Sequence, residues 1–229
     1  MTMMTTRTYG DLHIGSSLRL TEEQLQQLVG LFKLAPQKAS APLGGRSSVS
    51  VHQIDGLGPV VLKHYTRGGL LHHVVKHRYL KLGRTRCQLE YDLLLKIREL
   101  GINAPEPVAR AYRGRLFYLA WLVTREIPKP LSLARLSLQD EGKARAAMHS
   151  AIGQISVLVE HHILHVDLHP GNVVVDGGGT VYLLDFDKGH VYRGSREQLK
   201  DRYISRWRRA VVKHRLPDFL AEMMQEGLN

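Results

Sequence analysis

Eight residues in the C-terminal half, His165-Val166-Asp167-Leu168-His169-Pro170-Gly171-Asn172, constrain this 229-residue chain more than any other stretch. They follow a long helical pattern, residues 141–163. Two short apolar runs come next, Val173-Val174-Val175 and residues 181–184, separated by a Gly-rich turn at 177–179. That order reads as helix, loop and β-hairpin. The second strand of the hairpin leads into Asp185-Phe186-Asp187, with Asp185 18 residues after Asp167. Loops flanking one hairpin can aim their side chains in one direction. Asp167, Asn172 and Asp185 are therefore expected to share a site.

The chemistry of that trio is narrow. The run His165 to Asn172 matches an H-x-D-L-x-x-x-N pattern, and Asp185-Phe186-Asp187 resembles a D-F-G element whose last position is an acid. One carboxylate, Asp167, suits accepting or orienting an acceptor hydroxyl. Asn172 and Asp185 suit holding Mg²⁺ against the phosphates of ATP, since Mg²⁺ prefers oxygen ligands and keeps waters. His165 is expected to brace the loop by hydrogen bonding. Upstream, the apolar strand Val60-Val61-Leu62 ends at Lys63, the context of a lysine that grips nucleotide phosphates. Glu90 lies in the next helical pattern, residues 87–100 ended by Gly101, where the ion-pair partner of such a lysine belongs. Gly44, Gly45 and Ser47 precede the first strand of the hairpin expected to cover ATP, without a full G-x-G-x-x-G.

The remaining patterns set the surroundings. Thr21-Glu22-Glu23-Gln24 reads as a capping box opening a helix over 21–34. The net charge of +11 predicts attraction to anions. Two stretches concentrate it. Residues 67–86 read either as a solvated face or as a receiver for acceptor carboxylate and lipid phosphates. Residues 195–215 read as a helix whose basic side is either solvated or set against anionic headgroups. A single cysteine, Cys87, excludes an internal disulfide and reads as a packing residue. His73 and His77 have a metal-pair spacing but no third ligand, and Glu160-His161-His162 reads as helix-end surface. Residues 1–15 show no secretory signal, and no apolar run reaches the length of a spanning helix. No aromatic platform supports binding of nucleic acid.

These motifs bring a family into view. The chain resembles the lipopolysaccharide-kinase branch of the protein-kinase-like superfamily and is most similar to 3-deoxy-D-manno-octulosonic acid (Kdo) kinases. The resemblance is carried by Tyr65-Thr66-Arg67-Gly68-Gly69-Leu70, Arg78-Tyr79-Leu80, Arg84-Thr85-Arg86 leading to Glu90, the run Gly101 to Pro107, and Leu183-Leu184-Asp185-Phe186-Asp187. It implies an α+β, protein-kinase-like two-lobed fold, with an antiparallel β N-lobe, a mainly helical C-lobe and ATP between them. The expected divisions are 1–35, an N-terminal extension with a helix; 36–122, the N-lobe; and 123–229, the C-lobe with its basic helix. The implied reaction is Mg-ATP-dependent phosphorylation of a hydroxyl on Kdo attached to a lipid A precursor. Its implied setting is the cytoplasm, at the inner face of the cytoplasmic membrane, with that anionic glycolipid and the membrane surface as partners. A core heptose, another small hydroxyl compound, or no turnover at all in an anion-binding module are the alternatives. The absence of an A-P-E element after Asp187 speaks against a protein acceptor. Oligomeric state is left open.

Overall fold

A computed structural model describes residues 4–34, 48–65, 79–80, 83–115 and 117–229. The chain divides into two compact units, Met1–Asp92 with Glu106–Glu126, and Leu93–Pro105 with Ile127–Asn229. The fold class is α+β and protein-kinase-like, the first unit built on antiparallel strands and the second mainly on helices.

In the first unit the strands are β1 (Thr5–Tyr9), β2 (Leu12–Ser16), β3 (Ser48–Ile54), β4 (Gly58–His64), β5 (Tyr79–Leu80), β6 (Pro107–Arg113) and β7 (Phe117–Arg125), with helices α1 (Glu22–Leu31) and α2 (Arg86–Glu99). The sheet runs β1-β2-β6-β7-β4-β3, and β5 pairs with β7. The β3–β4 register joins Ile54 to Gly58 across a turn in which Gly56 and Gly58 take φ of 72° and 83°. A side chain resists that left-handed region, so glycine belongs there.

Residues 4–34 carry a hairpin as well as a helix. Strands β1 and β2 form a hairpin, and β2 pairs with β6 from Leu12↔Arg113 to Gly15↔Arg110. Helix α1 starts at the Thr21 cap, whose hydroxyl accepts from the Gln24 N–H while the Gln24 side chain accepts from the Thr21 N–H. Gln24 and Gln27 then bond to Asp55 in the β3–β4 turn. Leu12, Ile14, Leu25, Leu28 and Phe32 are buried in one cluster with Ile54, Val60, Leu62 and Trp121. Apolar burial of this kind stabilises by about 1.5–3 kcal/mol per large side chain. The N-terminal residues thus form part of the first unit's core.

Strand β7 continues to Arg125 because its ladder with β4 extends to Val60↔Arg125. The first unit runs on to Glu126, one residue past the end of that strand. Strand β6 pairs with β7 through an irregularity between Pro107 and Ala109.

The second unit contains β8 (Leu131–Ser132), α3 (Leu133–Gln139), α4 (Glu141–Glu160), β9 (Ile163–Leu164), β10 (Val173–Val175), β11 (Val181–Leu183), β12 (His190–Val191), α5 (Arg196–His214) and α6 (Phe219–Leu228). Small sheets run β11-β10-β8 and β12-β9. Helix α4 begins at Asp140, whose carboxylate accepts from the Lys143 N–H at 2.9 Å. It buries Ala144, Met148, Ile152, Ile155 and Val159, a stripe at helical spacing. Helix α5 starts at a second capping box, Ser195 with Gln198, and stops at Arg215 in the left-handed conformation. Its buried face carries Leu199, Tyr203, Trp207 and Val211, and the Trp207 indole N–H donates to the Leu220 carbonyl at 2.8 Å.

Candidate active site

Each unit carries part of the motif set. In the first, β4 presents Lys63 and α2 presents Glu90. The Lys63 ammonium lies 2.9 Å and 3.0 Å from the two Glu90 oxygens. The Lys63 side chain is 12% exposed and that of Glu90 4%. A carboxylate buried so fully needs partners for all its lone pairs. The Tyr65 hydroxyl supplies another by donating to Glu90 Oε2. The Tyr65 ring also lies 5.2 Å from the Lys63 nitrogen. Tyr65 lies one residue past the end of β4, where its N–H bonds the Ala120 carbonyl of β7, so the alternation that puts residues two apart on one face brings it to Lys63. The pair therefore sets the direction of a cationic side chain that would otherwise sample many rotamers.

In the second unit the hairpin β10–β11 does the positioning. Its register pairs Val173 with Leu183, and the Leu184 N–H donates to the Asn172 carbonyl at 2.8 Å. Asn172 and Asp185 thereby flank the same open end of one ladder. Asn172 is turned by donating its side-chain amide to the Asp167 carbonyl at 2.9 Å, which reserves the amide oxygen as an acceptor. Asp185 sits at φ 60°, a left-handed conformation that Asp tolerates better than most residues. The next residue, Phe186, is buried and packs on the His165 ring at 4.5 Å between centroids.

The loop between β9 and the hairpin is tied down from several sides. The His165 N–H donates to the Tyr203 hydroxyl at 2.9 Å, and that hydroxyl donates to the Ile163 carbonyl at 2.6 Å. The His165 ring donates from Nε2 to the Leu184 carbonyl at 2.7 Å, so loop and hairpin are cross-linked through one imidazole. Burial holds the His165 pKa below its ordinary value and keeps the ring neutral. His169 accepts from the Gly171 N–H at its Nδ1, and burial lowers its pKa to about 4. His165 thus stands as a brace.

Asp167 is the exposed member of this group, with 53% of its side chain accessible. It pairs with Arg206 of α5, whose Nε lies 3.0 Å from Asp167 Oδ1 and whose Nη2 also donates to that oxygen. Sequence reasoning singled out neither Arg206 nor Tyr203 for this loop. Both belong to a helix whose periodicity says only that Tyr203 is inward and Arg206 lies at its edge. Tyr65 had a legible signal, two residues beyond Lys63 at the end of a strand.

Gly44, Gly45 and Ser47 lie outside the described residues, as do His73, His77 and most of 67–86. Cys87 is buried and its thiol is pushed up to about 11 by desolvation, in keeping with a packing role. Among the described residues, no group of three or more His, Cys, Asp or Glu is placed to hold a metal ion. The hard oxygen donors of Asn172 and Asp185 fit Mg²⁺, which takes one or two protein ligands and completes its shell with water and phosphate.

A strand-borne lysine paired with a helix glutamate, together with an Asp-Asn loop followed by a hairpin and a second Asp, defines the protein-kinase-like class. Within that class the chain belongs to the lipopolysaccharide kinase (Kdo/WaaP) family, whose model matches residues 41–218. It is 35% identical over 155 residues to a 3-deoxy-D-manno-octulosonic acid kinase of Vibrio parahaemolyticus, covering 66% of this chain and 64% of that protein. A 3-deoxy-D-manno-octulosonic acid kinase of Stenotrophomonas maltophilia is 33% identical over 217 residues, covering 88% of this chain and 82% of that protein. One from Vibrio cholerae is 30% identical over 172 residues, covering 73% and 68%. The chain thus spans just under two thirds of the length of the Vibrio parahaemolyticus relative.

Proposed function

We propose that the protein transfers the γ-phosphoryl group of ATP to a hydroxyl of Kdo on a lipid A precursor, in building the lipopolysaccharide core. The observation that carries this reading is the buried Lys63–Glu90 pair in a chain that also sets Asp167, Asn172 and Asp185 around one hairpin. The names of the relatives support the acceptor.

Lys63, aimed by Glu90, binds the nucleotide phosphates. Asp167 orients the acceptor hydroxyl and receives its proton as the new P–O bond forms and the bond to ADP breaks. Asn172 and Asp185 would hold Mg²⁺, which offsets phosphate charge when bound. The loop anchors at His165 and Tyr203 keep Asp167 in register, and positioning of this kind supplies much of the rate in phosphoryl transfer. Gly44, Gly45 and Ser47 are assigned to the nucleotide by their place before β3. The work site is the cytoplasmic face of the membrane, reached from the surface. The basic outer face of α5 supports this, and no helix among the described residues is long and apolar enough to cross.

The test is mass spectrometry of purified Kdo-lipid A precursor after incubation with the protein and Mg-ATP. Gain of one phosphate, abolished by Asp167→Ala, is expected. Phosphate on a core heptose in place of Kdo would reassign the acceptor.

A further inference from the structure

We propose that the groove along the outer face of α5 is the acceptor subsite, that it takes an anionic sugar by its carboxylate or phosphate, and that Arg206 bridges this anion to Asp167. The inference rests on the reading of Asp167 as the carboxylate that meets the acceptor. The groove has a volume of about 760 Å³, lies within the second unit, and has α5 on one side and Leu164, His165 and Val166 on the other.

Charge is the first argument. Arg202, Arg206, Arg208, Arg209 and Lys213 line the groove against a single carboxylate, Asp201. Arg202, Arg206, Arg209 and Lys213 follow at intervals of four, three and four residues and so form one stripe along the helix. Like charges at that spacing repel, and folding alone gives no reason to gather them. Of the five cations, only Arg206 has an acidic partner among the described residues. Arg202 lies over the Tyr192 ring, and Arg209 bonds to the Ser205 carbonyl. Arginine forks match planar carboxylates and phosphates.

Apolar surface is the second. Val166 and Val212, both exposed, also line the groove. Cations interleaved with exposed methyl groups suit a sugar acid, which presents an anion beside the C–H face of a ring.

Arg206 decides between an acceptor and bulk membrane. It is a wall of the groove and also the partner of Asp167. Its Nε and Nη2 serve one oxygen of Asp167, which leaves further N–H donors of the guanidinium for a ligand. An anion held there lies one side chain away from the acceptor-side carboxylate. A phospholipid headgroup has no need of that link.

The test compares the full chain with the double variant Arg209→Ser/Lys213→Ser, two exposed positions. With Mg-ATP and the Kdo-lipid A precursor in micelles, the variant is expected to raise the acceptor KM at least about 10-fold and leave the KM for ATP unchanged. Calorimetry without ATP gives a second readout. The wild-type protein binds the precursor, and the variant loses at least about 10-fold in affinity. Weaker binding of the carboxylate methyl ester assigns the carboxylate as the anion; weaker binding of the dephosphorylated precursor assigns phosphate. Precursor binding without turnover, if lost in the variant, supports the groove while overturning the Kdo-kinase reading. Equal precursor binding by both proteins overturns the groove, as does a loss confined to phosphatidylglycerol vesicles.

Discussion

Arg206, on α5, holds the carboxylate of Asp167, on the loop after β9, across 39 residues of sequence. The contact ties the exposed acid of the catalytic-loop motif to a helix outside that motif. Arg206→Ala is expected to lower kcat/KM for the acceptor about 100-fold, the scale of a misplaced reacting group. Thermal stability should change little, since an ion pair this exposed contributes at most about 1 kcal/mol. Arg206→Lys retains the charge without the fork and should recover only part of the activity. Kinetics read beside a melting curve check this, and wild-type turnover in Arg206→Ala would remove the positioning role.

Glu90 behaves differently because its pair is buried. Removing Lys63 takes the cation away from a carboxylate buried in the core of the first unit, and removing Glu90 takes the carboxylate away from the ammonium. Breaking such a pair costs about 3–5 kcal/mol. Lys63→Ala and Glu90→Ala should each lower the midpoint of urea unfolding and weaken ATP binding. A Glu90 variant with unchanged nucleotide affinity would show that Lys63 needs no guide.

The Tyr203 hydroxyl serves two buried backbone groups, the His165 N–H and the Ile163 carbonyl. Tyr203→Phe keeps the ring and orphans both. A loss of about 1–3 kcal/mol is expected, with a fall in kcat larger than the change in the KM for ATP. Denaturant melts and steady-state kinetics separate the two effects.

Acid sensitivity follows from two histidines. Burial depresses the folded-state pKa of His165 and of His169, the latter to about 4, against ordinary values near 6.5. The unfolded chain then binds more protons than the folded one below 6.5, so stability falls with acidification. Their contribution is fully present above about pH 6.5 and is lost as pH drops toward 4. Protonation would also take the His169 Nδ1 lone pair from the Gly171 N–H. His169→Gln should flatten the stability profile in that window. A profile as steep as the wild type's would place the acid lability elsewhere.

Gly189 closes the segment after Asp187. A Cβ there would meet Leu93 Cδ2 at 2.6 Å and the Phe186 carbonyl oxygen at 2.9 Å. The backbone oxygen cannot turn aside as a side chain can. Gly189→Ala should cost about 1–3 kcal/mol and, by moving Phe186 off His165, reduce turnover. Unchanged melting and activity would mean that the segment yields without loss.

Much of the local structure was readable from residues close in sequence. The capping box at Thr21 needs only Gln24 three residues on, and the β10–β11 hairpin needs only its turn glycines and flanking valines. Asn172 and Asp185 were legible as neighbours because a two-stranded register carries one to the other. The strand ending in Lys63 and the helix carrying Glu90 were legible as elements, and the structure joins their side chains.

What the amino-acid order determined by itself is therefore short-range: helix starts, hairpins, the spacing of acids and amide, and the family they resemble. Tertiary structure alone decided that β1 and β2 extend the sheet through β6, that Leu28 and Phe32 share a core with Trp121, and that Tyr203 and Arg206 hold the loop of Asp167. The reason is physical. A cap or a turn is satisfied within a few residues, whereas β2 finds β6, and Arg206 finds Asp167, only after burial of apolar faces brings distant segments side by side. Many arginines and many strand edges satisfy the same local rules, and packing selects among them.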